Sequence, residues 1–302
     1  MKRRLRHCFV GLALLTAGKQ SFAQAPAGSA PAASSEQSAG PTLNTSFNGS
    51  TDSGSSVFDW TTTTGYIFNK HFSADLGIPV LFVHGTTSTG ATTSNAGLGN
   101  IFGQFNFVGK NPALNFGSVA TVALPTGDTS KGFSTGRVTA DWTSQVAREF
   151  GRFTPFFSAG LANSIFDSRY WRNRPYVTLG DVAHFEGGTS FDLGHSFTLS
   201  ASAYDIVPWS TQKLYSRIVG KGAAGSGKSN HGRVYQDNAL TTGGSSIDSD
   251  NGYNADLDFS PWKYVDLDFG YTHSVHFQLD TFSFSLGFNL SPLLRRARSS
   301  RD

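Results

Sequence analysis

The chain has 302 residues, 24 Lys and Arg against 21 Asp and Glu, 38% hydrophobic and 15% charged residues, 34 Gly, 26 Phe and a single Cys. One cysteine excludes an internal disulfide and a thiolate metal cluster. Five of the basic residues, Lys2, Arg3, Arg4, Arg6 and Lys19, lie within the first 23 positions; without them 19 basic residues face 21 acidic ones, which excludes a basic nucleic-acid footprint and leaves no nucleic acid among the expected partners.

Residues 1–23 read as a signal peptide. A cationic start (Lys2, Arg3, Arg4, Arg6) precedes an apolar stretch at 9–18, and Ser21-Phe22-Ala23 puts small residues at the −3 and −1 positions of a cleavage site near Ala23. The apolar stretch is too short to span a bilayer as a helix, which needs about 20 residues. Cys8 lies upstream of it, misplaced for a lipoprotein cysteine. Residues 24–41, rich in Ala, Ser, Pro and Gly, read as a disordered periplasmic lead-in. Residues 42–290 carry the fold, and 291–302 form a basic periplasmic tail with Arg295, Arg296, Arg298 and Arg301.

Within 42–290 the apolar residues recur with period two, as at Phe72, Ala74, Leu76, Ile78, Val80 and Phe82, and there is no long apolar run. Side chains alternate faces along a strand, so each such segment has one apolar and one mostly polar face. Short turns at 69–71, 110–112, 151–152, 194–195 and 261–263 alternate with longer Gly/Ser/Thr-rich stretches at 50–55, 84–97, 125–137, 164–180 and 208–249, and a last tight reversal falls near His276. This predicts an all-β fold, a transmembrane antiparallel β-barrel of about 12 strands, with short turns in the periplasm and long loops outside. The predicted strands are 42–48, 56–68, 72–83, 98–109, 113–124, 138–150, 153–163, 177–193, 196–207, 251–259, 264–275 and 279–290. A soluble β-sandwich is the competing reading, since it too shows period-two strands separated by turns.

The segments Leu76-Gly77-Ile78-Pro79-Val80, Gly97-Leu98-Gly99-Asn100-Ile101 and Ala123-Leu124-Pro125-Thr126-Gly127-Asp128 resemble the outer-membrane family labelled as transporters of the meta-pathway of phenol degradation. Thr154-Pro155-Phe156-Phe157 after the Gly151 turn and Tyr215-Ser216-Arg217 at the start of the long loop add to the resemblance, which covers roughly 44–290. It implies a channel-like outer-membrane barrel linked to uptake of aromatic or other small organic compounds, and it brings no catalytic residues or cofactors. One departure is the continuation past Leu290 to Asp302, where many barrels end on an aromatic residue.

Strand parity places Asp75, Asn100, Gln104, Asn106, Asp141, Gln145, Glu149, His184, Glu186, Asp256, Asp258, Asp266 and Asp268 in the interior. Such a lumen attracts cations and repels anions, and it lacks the Arg and Lys rings an anion or phosphate pore needs. Loop arginines folding inward would neutralise it. A symmetric turn at 260–263 would set Asp258 against Asp266 and Asp256 against Asp268, an arrangement that is destabilising unless a basic partner, solvation or a bound cation such as Ca²⁺ relieves it.

Gly222-Ala223-Ala224-Gly225-Ser226-Gly227-Lys228-Ser229 matches the phosphate-binding-loop pattern, yet no helical pattern follows for its backbone amides to cap. Ser274 beside His273 and His276, and His184 with Glu186, are the fragments from which a barrel enzyme would have to be built. No motif joins them to a base and an orienting third group, so the chain reads as a non-enzyme without cofactor or metal. The 208–249 loop, with Lys213, Arg217, Lys221, Lys228 and Arg233, suits a plug or gate, or contact with anionic lipopolysaccharide. The expected function is passive uptake of small organic, plausibly aromatic, solutes across the outer membrane of a Gram-negative cell. The expected partners are membrane lipid, lipopolysaccharide, the barrel-assembly machinery and the solute itself. A structural or adhesive barrel without an open pore, and a lipid-modifying enzyme, are the alternatives.

Overall fold

A computed structural model describes residues 39–86, 90–111, 113–164, 174–218, 240–262 and 264–292. The readings of 1–23, of the lead-in up to residue 38, of 222–229, of Lys221, Lys228 and Arg233, and of the tail beyond 292 lie outside the described residues.

The strands in chain order are β1 (Gly40–Thr51), β2 (Ser55–Ile67), β3 (Phe72–Thr86), β4 (Thr92–Leu98), β5 (Phe102–Lys110), β6 (Asn115–Ala123), β7 (Thr139–Ala147), β8 (Phe153–Ala162), β9 (Tyr176–Leu179), β10 (Val182–Gly194), β11 (Phe197–Pro208), β12 (Gln212–Ser216), β13 (Leu240–Gly243), β14 (Asp250–Trp262), β15 (Val265–Ser274) and β16 (Leu279–Asn289). Antiparallel pairing runs β1-β2-β3-β5-β6-β7-β8-β10-β11-β14-β15-β16, and β16 pairs back onto β1 from Asn44↔Asn289 to Thr51↔Phe282. The wall is therefore a closed antiparallel barrel of twelve strands. Closure removes every free sheet edge, the one way a sheet can satisfy its backbone groups in lipid. It also overturns the sandwich alternative, which needs two packed sheets.

Alternation decides the two faces. Leu76, Ile78 and Phe82 on β3, Trp142 on β7, Phe157 and Leu161 on β8 and Phe269 on β15 are all exposed on the outside. Thr61 and Thr63 on β2, Ser158 on β8 and Asn254 on β14 are buried inside. A soluble monomer rarely exposes so large an apolar surface, whereas a bilayer requires it.

Two predicted strands are each divided. The 98–109 strand starts earlier, as β4, and is broken at 99–101, where the register on β3 shifts by one residue between Gly77↔Phe102 and Val80↔Leu98. An extra residue on one strand is a β-bulge, which bends the strand and re-aims side chains. The 177–193 strand is split at Gly180 into β9 and β10; β9 leaves the wall and joins β12 and β13 in a three-stranded sheet at the long-loop end. The 50–55 stretch is a tight turn rather than a long loop. Asp52 accepts from the Gly54 and Ser55 amides through Oδ1 at 2.8 Å, so β1 and β2 run almost into each other.

Candidate functional site: the barrel interior and its long-loop end

Inward-facing acids run along the wall: Asp59, Asp75, Asp141, Glu186, Asp250, Asp256, Asp258, Asp266 and Asp268. Among the described residues the wall strands hold one Lys or Arg, Lys110, the last residue of β5. Lys110 lies 3.5 Å from Glu149 at the short-turn end, where Asn115 Nδ2 also donates to Glu149 at 2.9 Å.

The acids sit in hydrogen-bonded settings that follow from the pairing. Asp75 on β3 accepts from Thr42 Oγ1 at 3.1 Å, reaching across β2 from β1, and from Asn106 Nδ2 on the neighbouring β5 at 3.0 Å. Gln104 donates to Thr121 at 3.2 Å. Asp141 meets His184 Nε2 at 2.9 Å, and Thr143 donates to its other oxygen at 2.8 Å. Asp59 accepts from Asn48 at 2.9 Å and from Thr61 at 2.8 Å. Gln145, His184 and Glu186 are buried on neighbouring strands, with Gln145 and Glu186 both opposite Ser158. Asn100 falls in the bulge instead of a strand, and its Oδ1 accepts from the Gly127 amide at 3.2 Å. Glu149 lies beyond the end of β7 and is exposed. Sequence parity missed Asp59, Asn44, Asn48 and Asp250, although the alternation Val57, Asp59, Thr61, Thr63 carried the signal for the first.

The symmetric-turn expectation is corrected by the register. A shift between Phe259 and Trp262 puts Asp258 opposite Asp268 and Asp256 opposite Gly270, while Asp266 accepts from Ser260 Oγ at 2.5 Å. One facing pair, Asp258 with Asp268, remains, while Asp256 and Asp266 no longer face an acid across the β14–β15 ladder. Among the described residues no three His, Cys, Asp or Glu side chains converge on a metal-sized site. His184 and Glu186 share the inward face of β10, whereas Ser274 and His273 are separated by alternation. Ser274 faces inward and donates to Asp250 Oδ1 at 2.5 Å, whereas His273 faces outward and meets Asp280 at 2.7 Å.

The three family-like segments interlock. The Gly99 amide donates to Pro79 O at 2.9 Å and the Leu124 amide to Ile101 O at 2.8 Å. Thr126 Oγ1 accepts from the Ile101 amide at 2.8 Å and donates to Gly99 O at 3.1 Å. These residues shape the bulge and tie it to the 124–138 loop; their part is architectural.

At the long-loop end the interior changes character. Val57, Leu81 and Val83 on β2 and β3 join Phe133, Tyr176, Leu214 and Ile218 from the loops and Ala162, Val182, Tyr204 and Ile206 on β8, β10 and β11 in one buried apolar cluster. On the twelve-strand circuit β3 and β11 are six steps apart, so this layer crosses the barrel. Ile218 is 0% exposed and sits against Gly85 on β3; a Cβ built at Gly85 would lie 2.7 Å from Ile218 Cγ2. Burying Leu214 and Ile218 stabilises by about 1.5–3 kcal/mol each.

Two arginines, both buried, fasten the layer. Arg217 donates to Gly132 O at 3.1 Å and to Arg174 O at 2.9 Å, and Asn95 on β4 donates to Arg217 O at 2.9 Å. Arg174 pairs with Asp250 at 3.0 Å and donates to Tyr176 OH at 2.9 Å. Burial alone would lower the Arg174 guanidinium, but Tyr176 and Asp250 hold it well above its ordinary value. Burial pushes the Tyr176 hydroxyl up against the pull of Arg174. Burial also pushes the Asp248 carboxyl up to about 7, opposed by Arg174 and Thr178 and assisted by Asp250. The sequence expectation that loop arginines fold inward is thus met at the mouth, by Arg174 and Arg217, while Lys213 on β12 is exposed.

Among solved structures the chain is similar to an outer-membrane channel from Pseudomonas putida F1, with a TM-score of 0.53 and 7% identity over 84% of this chain and 97% of that one. The NanC porin gives a TM-score of 0.46 at 7% identity, covering 81% of this chain and 98% of its own. The CymD monoaromatic hydrocarbon channel gives 0.40 at 8%, covering 84% and 88%. No protein-family model and no curated protein matches the sequence. At such identities the likeness is one of fold, and the fold is that of an outer-membrane β-barrel.

Proposed function

We propose that the chain is an outer-membrane channel that admits small organic solutes by passive diffusion, favouring neutral and cationic molecules over anions. The observation that carries this reading is the asymmetry of charge inside the wall: acids on β2, β3, β7, β10, β14 and β15, and no Lys or Arg among the described inward positions between the barrel ends. Acidic walls around a narrow water path concentrate cations and raise a barrier to anions. The resemblance to the phenol-degradation family supports aromatic solutes as the class. On this reading the leader is cleaved near Ala23, the long-loop end faces outside, and the apolar exterior meets lipid and lipopolysaccharide.

The test is conductance of the refolded barrel in planar bilayers across a KCl gradient. Discrete current steps with a cation-selective reversal potential are expected, and phenolic solutes added to one side should reduce the current. Anion selectivity would overturn the assignment of the lumen. The buried apolar layer favours a second reading, a barrel kept closed for a structural role; a folded barrel that never conducts would select it.

A further inference from the structure

The rest of the molecule supplies fewer candidates. The shallow groove lined by Phe157, Phe185, Gly187, Ala203 and Asp205 opens on the outside of the wall, on the apolar face already assigned to lipid. The His184–Asp141–Thr143 group uses one ring nitrogen for both partners, which is no relay. The segment at the long-loop end carries an argument further.

Residues 212–218 leave the top of β11 through β12 and reach the opposite wall. Three features distinguish this segment from a wall strand. Residues 212–216 are paired with β9 and β13 rather than with the wall, and beyond them the segment is held across the lumen by Arg217, whose amide donates to Pro175 O at 2.8 Å and whose side chain donates to the Gly132 and Arg174 carbonyls, and by Asn95 donating to the Arg217 carbonyl. Its seat on β3 is made by the missing side chain of Gly85, so Ile218 fits there without being covalently or ladder bonded to that strand. Its neighbour Gly132 has φ +67, and a Cβ there would collide with Ser216 O, so the 124–138 loop is shaped to let the segment pass. The seat is apolar and belongs to the buried apolar layer that crosses the barrel at this end.

We propose that residues 212–218 form a strap that gates the long-loop mouth, with Ile218 as the stopper in the Gly85 seat and Arg217 as its latch. The proposal rests on the channel reading. With the stopper seated, an apolar constriction excludes water and ions, as in hydrophobic gates. When Arg217 releases the two carbonyls, the stopper leaves the seat and the acidic lumen below opens to the mouth.

The test uses the full chain with Gly85→Cys and Ile218→Cys in a Cys8→Ser background, so that the two introduced thiols are the only ones whether or not residues 1–23 are removed. Oxidation should join strap to wall and lower single-channel conductance roughly tenfold, with recovery on reduction. A cross-linked barrel that conducts as well as its reduced form overturns the gate. Arg217→Ala should raise the open probability of the unlinked channel; an unchanged value overturns the latch. A second measurement needs no current. Amide hydrogen exchange at Arg217 and Ile218 should run at least roughly a hundredfold faster than on paired β2–β3 residues, because a gate must open locally. Equal protection overturns the strap even in a silent barrel. Silence of the reduced, folded barrel together with fast exchange would instead remove the channel reading and leave a movable strap.

Discussion

Asp258 on β14 and Asp268 on β15 are direct cross-strand partners on the interior face, two residues out of step with a symmetric turn. Like charges set opposite each other on paired strands oppose folding by about 0.2–1 kcal/mol. Asp258→Asn should therefore raise the denaturation midpoint of the refolded barrel. The same variant should shrink the cation-selective reversal potential. Gain in one with loss in the other marks a pair kept for permeation at the expense of stability; a fall in both would place the pair in a compensated network.

The lipid-facing assignment is tested at Phe269, exposed in the middle of β15. Phe269→Arg sets a charge against hydrocarbon at a cost of about 2–4 kcal/mol near the bilayer midplane. Refolding yield into vesicles, read by the heat-dependent gel shift of folded barrels, should drop sharply. An undiminished yield would mean that this face does not meet lipid.

Thr126 holds the bulge shut from the neighbouring loop through its bonds to the Ile101 amide and Gly99 carbonyl. Thr126→Val keeps the shape and removes both bonds; because Thr126 is exposed and water can replace them, each is worth about 0.5–1.5 kcal/mol. Urea unfolding in detergent should show this as a lowered midpoint, with faster exchange of the amides at 99–101.

Asp248 gives the loop cap a pH dependence of definite sign. Its carboxyl is raised from 3.8 to about 7 in the fold, so the folded state favours the protonated form. The cap's stability is complete below the unfolded value and is lost as pH rises through about 7. Arg174 pulls the value down and Asp250 pushes it up; the Thr178 hydroxyl also pulls it down, and Asp248 in turn raises the neighbouring Tyr176 hydroxyl. Raising the pH from about 5 to about 8 should lower the unfolding midpoint of the natural chain more than that of Asp248→Asn. Equal slopes for the two would remove Asp248 as the cause.

Much of the wall was legible in the sequence because a strand that meets lipid on one side and water on the other must alternate. The 251–259, 264–275 and 279–290 segments alternate cleanly, and all three are found as neighbours in the sheet. The breaks were not legible. Nothing in Gly99-Asn100-Ile101 distinguishes a bulge from a continued strand until Thr126 is seen reaching back to it. Nor does Val177 differ from a wall residue until Tyr215 pairs with it. The one-by-one assignment of acids depended on local parity, which served for Asp75 and Asp141. It misplaced the facing pair at Asp258, because a bulge beside Ser260 changes the register without altering the pattern of residue types. Arg174 and Arg217 lie in loops, where position is set by long-range contact, and composition gave no means of placing them.

The pairing of β1 with β16 has a consequence for biosynthesis. The partner that β1 requires is the last strand to be made, separated from it by the whole barrel. Until β16 arrives, β1 and β15 both present unsatisfied ladders, and no subset of hairpins reproduces the final ring. The wall therefore closes in a single step, at the seam between β1 and β16.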